Sequence, residues 1–225
     1  MSHDASDLYR DKEASYFGTA RLDLLEMLPR AGGLDLLELG AGDGATLRAA
    51  KRLGLAKTTT GIDLVAAAAA VPAGEDIDRF LSGDVERMEL PLAAASFDAV
   101  LCADVLEHLV DPWRMVRRLT ELLRPGGLFL ASLPNFRNHR AWWPVVVGGD
   151  FRYEPAGLRD RTHLRFFCRQ NVVELVGQAG LEVEALAENM GAYGWRHKLL
   201  DAATLGRLHE LFVFQYRVRA RKPAR

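Results

Sequence analysis

The chain has 225 residues, with 29 Lys plus Arg against 30 Asp plus Glu and a formal net charge of -1 at pH 7. A single hydrophobic core commonly stops growing only near about 250 to 300 residues, so the length predicts one domain over 1–225. The balanced charge argues against a nucleic-acid binder held by phosphate attraction, and we expect no nucleic-acid partner. Cys102 and Cys168 lack the spacing of a disulfide framework or a zinc site, which favours a reducing compartment.

No segment of the sequence is typical of export or of membrane insertion. The first residues, MSHDASDLYRDKEASYFG, lack the apolar centre of a signal peptide. The apolar stretch AWWPVVVGG at 141–149 contains a proline and is shorter than the roughly 20 residues that span a bilayer. We therefore expect a cytoplasmic protein without stable membrane insertion, and contact with a lipid-linked substrate stays open.

Short β-rich runs alternate with amphipathic helical runs along the chain. Such alternation predicts a parallel sheet. The helical patterns lie at 44–53, at 65–74, where the chain is alanine-rich, and at 113–123, where RPGG follows as a helix stop. The predicted strands lie at 34–39, 58–63, 77–84, 97–104, 127–134, 181–188 and 211–220.

Residues 135–168 interrupt this alternation and are rich in aromatic residues, arginine, proline and glycine. This composition indicates an inserted loop or lid between sheet elements, where function is often found. Its aromatic side chains suit stacking on a sugar or ring substrate, and its arginines suit pairing with phosphate or carboxylate. The alternative is that Trp142 and Trp143 close the edge of the core or form a dimer contact, so a monomer and a homodimer both stay open.

The stretch LLELGAGDGAT at 36–46 carries a predicted strand into a glycine-rich turn. Gly40, Gly42 and Gly44 permit positive φ angles and close approach of a ligand to the backbone. The third glycine falls earlier than in the dinucleotide-binding fingerprint. Because Ala45 occupies the fingerprint position and alanine is tolerated there, spacing alone leaves NAD open.

Acidic residues around this turn distinguish between possible ligands. Glu38 and Asp43 would oppose a pyrophosphate but would suit a cation or an ammonium group. Asp63, at the end of the second predicted strand, can accept both hydroxyls of a ribose, and Asp84, at the end of the third, can accept an adenine amine. The pattern therefore favours a positively charged adenosyl compound such as S-adenosylmethionine.

Taken in order, ELGAGDG, TGIDL, SGDVERMELPLAAASFDAVLCADVLEHLVDP and LRPGGLFLASLPN resemble the motifs of class I S-adenosylmethionine-dependent methyltransferases. The resemblance covers nearly the whole chain. SYFGTARLDLLEMLP and GLRDRTHLRFF are similar to bacterial small-molecule and glycan-associated methyltransferases. The resemblance implies a Rossmann-like, seven-stranded, mostly parallel sheet with helices on both faces and the last strand antiparallel between the fifth and sixth. An N-terminal helical cap at 1–30 and a substrate lid at 135–168 after the fifth strand are also expected.

The resemblance further implies S-adenosylmethionine as cofactor and S-adenosylhomocysteine as its product. Arg21 is expected to meet the cofactor carboxylate, the glycine turn its methionine part, and Asp63 its ribose. The full set of expected cofactor-binding residues is Arg21, Glu38, Gly40, Gly42, Gly44, Asp63, Leu64, Asp84, Val85 and Ala103.

Methyl transfer to a hydroxyl benefits from a base, and histidine is best tuned for that role. His163 lies beside acidic and basic residues in RDRTHLRFF, and His108 follows the fourth predicted strand, so we expect both to be catalytic. Bonding of His163 to the backbone at the base of the lid is the alternative for that residue. No role is predicted for His3, His197 or His209. The expected substrate-binding residues are Asn135, His139, Trp143 and Arg161.

A metal is not expected in the main interpretation. The alternative is a divalent metal held by Asp104, Glu107 and His108, whose i, i+3, i+4 spacing places them together on a helical turn. The resemblance supports this alternative, because family members that methylate quinone precursors use acidic and histidine side chains of this segment. Capping of the next helix and exposure at the surface are the simpler explanation of these residues.

We predict an S-adenosylmethionine-dependent methyltransferase that O-methylates a small-molecule or glycan-like, saccharide acceptor. N-methylation of an amino sugar or related amine is the nearest alternative. Alternatives of another class are an NAD-dependent oxidoreductase, for which a Tyr-x-x-x-Lys pair is missing, and a noncatalytic cofactor-binding subunit.

Overall fold

The computed structural model describes residues 20–64, 77–191 and 194–224. The predicted helix at 65–74 and most of the expected cap at 1–30 lie outside these residues. The described strands are β1 (Leu34–Leu39), β2 (Ala56–Asp63), β3 (Arg79–Ser82), β4 (Phe97–Ala103), β5 (Leu123–Pro134), β6 (Glu182–Asn189) and β7 (Gln215–Arg221).

Helices connect most of these strands. The described α-helices are α1 (Leu22–Leu25), α2 (Ala45–Arg52), α3 (Pro112–Leu122), α4 (His139–Gly148), α5 (Arg169–Gly177) and α6 (Trp195–Ala203). Short 3-10 helices lie at Leu106–His108 and His209–Leu211. Asp111 accepts a hydrogen bond from the Arg114 amide, and Pro112 follows it, which explains why α3 begins there.

The seven strands form one sheet with the order β3-β2-β1-β4-β5-β7-β6. β1 pairs in parallel with β2 and β4, β2 with β3, and β4 with β5. β7 is antiparallel to both β5 and β6. The predicted fold class is confirmed, including the position of the last strand between the fifth and sixth. All parallel strands consequently direct their carboxyl ends to one edge of the sheet, where open α/β sheets bind ligands.

Alternation along the central strands places a core on each face of the sheet. Leu36 packs with α1 and α2 on one face, where Leu24 and Leu47 are buried. Leu37 packs on the other face with Met115 of α3 and residues of α5. Because neighbouring strand residues point to opposite faces, the nearly continuous apolar run of β1 serves both cores.

Two predicted boundaries differ from the structure. The segment RPGG at 124–127 was predicted to stop α3. In the structure α3 already ends at Leu122 and β5 begins at Leu123, so RPGG belongs to the strand. The Gly126 amide donates to the Lys222 carbonyl beyond β7, and this long-range pairing extends the strand. β7 in turn begins at Gln215 rather than at 211, because the chain first forms the second 3-10 helix.

The segment 135–168 departs from the open loop that its composition indicates, because it contains α4. Both ends of the segment meet at an isolated bridge between Asn135 and Phe167. The rings of the adjacent residues Phe136 and Phe166 contact each other in a tilted arrangement, with centroids 4.5 Å apart. The apolar stretch at 141–149 lies mostly in α4 and carries Pro144 inside the helix. No helix in the described ranges has both the length and the apolar character needed to cross a bilayer.

Candidate cofactor and acceptor site

The glycine turn joins β1 to α2 at the carboxyl edge of the sheet. Gly40, Gly42 and Gly44 have φ angles of 73°, 56° and 84°, so each adopts the left-handed conformation that favours glycine. A Cβ on Gly40 would lie 2.1 Å from Cγ2 of Val105, and one on Gly44 would lie 2.1 Å from Cδ1 of Ile77. The turn therefore needs glycine for its own packing as well as for a ligand. The packing of Val105 against Gly40 also brings the segment after β4 into contact with the turn.

Asp63 ties the ends of β1 and β2 together. Its Oδ2 accepts the Gly42 amide at 2.6 Å, and its Oδ1 accepts the Leu64 amide at 2.6 Å. Burial raises the pKa of the Asp63 carboxyl, and the two backbone hydrogen bonds partly offset that shift. Each carboxylate oxygen has a further lone pair, so the arrangement is compatible with a pair of ribose hydroxyls.

Glu38 lies under the turn and is 2% exposed. Its Oε2 is buried and has no hydrogen-bond partner among the described residues, while Thr46 bonds to the carboxyl group. Burial raises the pKa of Glu38 to about 8, and the nearby Asp63 and Asp43 carboxylates add to the shift. A buried carboxyl with an unused oxygen below a glycine turn fits a ligand that brings positive charge.

Asp84 follows β3, as its sequence position predicts. Oδ1 accepts the Glu86 amide at 3.0 Å, and Oδ2 lies 3.2 Å from Nε of Arg87. The side chain of Val85 is buried in the core, so only its backbone remains for the expected contact with an adenine edge. Ala103 ends β4 and is partly buried on the opposite face of the sheet.

The guanidinium of Arg21 is already paired with carboxylates of the protein, although the sequence predicts that it binds the carboxylate of the cofactor. Nη1 lies 2.5 Å from Oδ2 of Asp104, and Nε and Nη2 each lie 2.9 Å from the Asp23 carboxylate. Ser132 and Gln215 complete the contacts of Asp104. Burial raises the pKa of Asp104, and the Arg21 charge opposes this shift.

A cavity of about 630 Å³ opens beside this network. Its lining residues are Ala20, Arg21, Leu22, Asp23, Asp104, Glu188, Asn189, Met190, Gly191, Phe214, Gln215 and Arg217. The lining is mixed: charged and amide-bearing side chains stand beside apolar ones such as Leu22, Met190 and Phe214. The cavity therefore suits a molecule with several hydrogen-bonding groups.

The predicted catalytic histidines meet in the structure. The rings of His108 and His163 are 4.7 Å apart, and Nε2 of His163 lies 4.0 Å from Oε1 of Glu107. Nδ1 of His108 lies 3.1 Å from the Thr162 carbonyl oxygen and 3.0 Å from its hydroxyl, which Asp160 also contacts. The backbone carbonyl of Glu107 accepts hydrogen bonds from the amides of Leu164 and Arg165, so the last part of the insertion is fixed against the 3-10 helix that follows β4.

The structure groups different residues from those of the alternative metal site, which was predicted to consist of Asp104, Glu107 and His108. Glu107, His108 and His163 offer ligand atoms within 4.8 Å of one another, whereas the Asp104 carboxylate is directed to Arg21, Ser132 and Gln215. The 3-10 geometry of Leu106–His108 and the left-handed Asp104, with φ 54°, remove the α-helical spacing that grouped Asp104 with the other two.

Two of the predicted substrate residues have structural roles. Asn135 is fully buried, and its Nδ2 donates to the carbonyl oxygens of Glu210 and Val213, so the predicted substrate contact is wrong. Nδ1 of His139 lies 3.0 Å from the Leu211 carbonyl oxygen. Both side chains anchor the connection between β6 and β7. Trp143 on α4 and Arg161 are exposed, and their contact with the acceptor stays a prediction.

His209, for which the sequence offers no supporting neighbour, has two acidic partners. Nε2 lies 2.7 Å from Oε2 of Glu188, and Nδ1 lies 2.8 Å from Oδ2 of Asp201. Hydrogen bonds to Glu188 and then Asp201 raise the pKa of His209. Cys102, in contrast, is fully buried in the core, and burial raises the pKa of its thiol.

Comparisons with known proteins agree with the fold and the turn. A family model described as a methyltransferase domain matches residues 37–131. The ubiquinone biosynthesis O-methyltransferase of Paracidovorax citrulli is 31% identical over 190 residues, which cover 77% of this chain and 77% of that protein. The protein of the same name from Escherichia coli is 34% identical over 150 residues, 62% of this chain and 60% of that protein.

A solved structure shows the same architecture. The S-adenosylmethionine dependent methyltransferase from Mesorhizobium loti aligns with a TM-score of 0.62 and 21% identity, covering 94% of this chain and 99% of that chain. The matches decide against the NAD-dependent oxidoreductase and the noncatalytic subunit. The extent of the Paracidovorax match shows that the chain belongs to the class I S-adenosylmethionine-dependent methyltransferases and is an enzyme with S-adenosylmethionine as its cofactor.

Proposed function

We propose that the enzyme O-methylates a small polar acceptor at the carboxyl edge of the sheet. The observation that supports this proposal is the cluster of Glu107, His108 and His163, together with the packing of Val105, two residues before Glu107, against Gly40 of the glycine turn. An imidazole next to a buried carboxylate is a suitable acceptor for a hydroxyl proton. The same arrangement gives less benefit to an amine, which enters the reaction with its own lone pair.

The residues around the turn fit the cofactor. The buried Glu38 and the left-handed glycines receive the cationic methionine end, Asp63 binds the ribose hydroxyls, and Asp84 accepts from the adenine amine. Leu64, Val85 and Ala103 border the same ligand. When bound, S-adenosylmethionine supplies a methyl group on a positively charged sulfur. The main task of the protein is then to align the acceptor and to exclude water.

Arg21 must change partners to meet the carboxylate of the cofactor. In the structure its guanidinium contacts both Asp23 and Asp104, and the full bidentate contact is with Asp23. Exchange of Asp104 for the incoming carboxylate would retain the Asp23 contacts and would leave the Asp104 carboxylate facing the cavity. This exchange would couple cofactor binding to a more acidic acceptor cavity.

The acceptor class follows from the cavity and the insertion. The charged and amide groups of the lining suit the hydroxyls of a saccharide or another polyhydroxylated small molecule, with one hydroxyl directed to the methyl donor. We infer that 135–168 is the substrate lid of a single domain over 1–225, with the exposed Trp143 and Arg161 contacting the acceptor. His163 would then receive the hydroxyl proton, with His108 orienting its ring.

A second candidate is O-methylation of a catechol, as in a quinone precursor. Two observations favour it: the names of the relatives and the ligand spacing of Glu107, His108 and His163. A divalent cation held by these residues would lower the pKa of a bound catechol hydroxyl. The two candidates thus share a cofactor site and differ in how the acceptor loses its proton.

Methyl transfer to a panel of acceptors tests the proposal. Purified protein is incubated with methyl-labelled S-adenosylmethionine and hexoses, hexosamines, nucleotide sugars or soluble catechols, with and without EDTA. Labelled product from a sugar hydroxyl that persists in EDTA supports the polar acceptor, and chelator-sensitive product from a catechol supports the second candidate. Product labelled on nitrogen alone would contradict O-methylation.

A further inference from the structure

Of the three acidic residues described around the glycine turn, Glu38 is buried, whereas Asp43 and Asp63 retain partial exposure. Taking an isolated carboxylate out of water is costly unless a positive charge accompanies it. The positive charge of Arg21 acts on Glu38, but its guanidinium contacts Asp104 and Asp23. The environment of Glu38 without cofactor therefore favours the neutral carboxyl.

Burial is the largest influence on Glu38, and the groups of the neighbouring elements divide between those that favour its neutral form and those, Thr46 and Arg21, that favour its ionised form. Asp63 at the end of β2 and Asp43 in the turn are like charges, and Cys102 on β4 is a buried, neutral thiol. Thr46 on α2 donates one hydrogen bond, which favours the ionised form. One donor does not balance complete burial together with two neighbouring carboxylates.

We propose that Glu38 exchanges a proton with solvent whenever the cofactor site fills: the carboxyl is protonated in the empty site and releases that proton as the cationic end of S-adenosylmethionine arrives. The cofactor charge then replaces the proton as the partner of the buried oxygen Oε2. No bond other than the carboxyl O–H is broken, and the proton leaves to the buffer. The inference rests on the cofactor of the proposed function and does not depend on the identity of the acceptor.

The structure also explains why one residue would carry the exchange. Asp63 is held by two backbone amides that stabilise its ionised form, and its expected ligand, a ribose, is uncharged. Asp43 accepts the Ala45 amide and lies 3.3 Å from Nη2 of Arg48, so it already has a positive partner. Glu38 has neither a pair of amides nor a guanidinium contact, and its ligand is charged.

Calorimetry of S-adenosylmethionine binding tests the proposal without any acceptor. Titrations are run at pH 6.5, where the ammonium group of the ligand already carries its proton, in two buffers of different ionisation enthalpy. The dependence of the observed enthalpy on the buffer gives the number of protons exchanged. We expect release of about one proton in the wild-type protein and none in Glu38→Gln, which keeps the neutral shape of the carboxyl.

Glu182→Gln serves as a matched control, because Glu182 is exposed at the far end of β6 and should leave the release unchanged. If Glu38→Gln no longer binds measurably, direct infrared detection of the carboxyl band in the wild-type protein provides the second measurement. A protonated carboxyl band that disappears on cofactor addition supports the proposal. No proton release by the wild-type protein, or equal release by Glu38→Gln, overturns it. Failure of every acceptor in the methylation panel would count against the proposed function only.

Discussion

The amide of Gly42 donates a hydrogen bond to Oδ2 of Asp63 over 2.6 Å, which fixes the glycine turn after β1 to the end of β2. The same carboxylate accepts the Leu64 amide through its other oxygen. The residue expected to hold the ribose is thus also the residue that shapes the turn. The Asp63 carboxylate is therefore needed both for the shape of the turn and for the expected binding of the ribose.

Asp63→Ala should weaken S-adenosylmethionine binding by about 1 to 3 kcal/mol, because charge-assisted hydrogen bonds to the ligand are lost. It should also lower the melting temperature of the cofactor-free protein, because the amides of Gly42 and Leu64 lose their acceptor. Calorimetric titration and thermal unfolding measure the two effects separately. Asp150→Ala, on an exposed carboxylate paired with Arg152, should change neither. Unchanged cofactor affinity in Asp63→Ala would refute the ribose assignment.

Gly40→Ala should destabilise the fold by about 1 to 3 kcal/mol, since the new Cβ would lie 2.1 Å from Cγ2 of Val105. The positive φ of Gly40 adds strain to this overlap. In a Val105→Ala background the cost should be smaller, because the overlapping methyl group is gone. Chemical denaturation of the four members of this double-mutant cycle measures the difference.

Gly148→Ala is the control for this cycle, because no atom lies within 4 Å of its added Cβ and the residue ends α4. It should be neutral or slightly stabilising. If Gly40→Ala lowers the free energy of unfolding equally in the wild-type and the Val105→Ala backgrounds, backbone strain alone makes Gly40 necessary.

The parts of the fold that the sequence predicts well are those encoded locally. The run Leu36–Leu39 followed by Gly40 identifies a buried strand and its turn from neighbouring residues alone. Asp63 and Asp84 follow strand ends, and parallel pairing brings those ends to one edge. Element order and the acidic ligand set around the turn could therefore be predicted without knowledge of any long-range contact.

The side-chain partners were less predictable because they depend on contacts between distant segments. Asn135 follows β5 like a ligand-binding residue, but the return of β7 beside β5 buries it under the carbonyl oxygens of Glu210 and Val213. Asp104 meets Arg21 instead of Glu107 because its left-handed backbone turns the carboxylate away. Neither outcome has a periodic signal in the sequence.

Stability should fall as the pH rises from about 5 to 8 through the contribution of Glu38. Its pKa in the folded protein is raised to about 8 by burial, above the ordinary value of 4.5. Between these values the folded state binds a proton that the unfolded state has lost, so raising the pH favours unfolding by an amount on the order of a few kcal/mol. Glu38→Gln should flatten this part of the stability profile, as followed by urea unfolding. An unchanged slope in the variant would assign the effect to another group.

His163→Ala should reduce methyl transfer by about 10²- to 10⁴-fold if the imidazole accepts the hydroxyl proton. Affinity for S-adenosylmethionine should be retained, because His163 lies with Glu107 and His108 and not among the residues of the glycine turn. Turnover and cofactor titration are compared, with His139→Ala as a control for loss of a histidine anchored by a backbone carbonyl. Wild-type turnover in His163→Ala would show that His163 is not catalytic. Full activity after chelation would rule out the metal-dependent alternative.

His209 should stabilise the connection between β6 and β7 at low pH and lose that effect at high pH. Hydrogen bonds to Glu188 and Asp201 raise its pKa above the ordinary value of 6.5, so the folded state retains the imidazolium after the unfolded state has lost it. The contribution is present below pH 6.5 and disappears as the pH rises through the raised value. Proton NMR should show His209 titrating above 6.5, with a lower pKa in Glu188→Gln and in Asp201→Asn. The melting temperature of His209→Gln should differ from that of the wild type more at pH 6 than at pH 9. If NMR shows His209 titrating at its ordinary pKa, the two carboxylates do not act on it in solution.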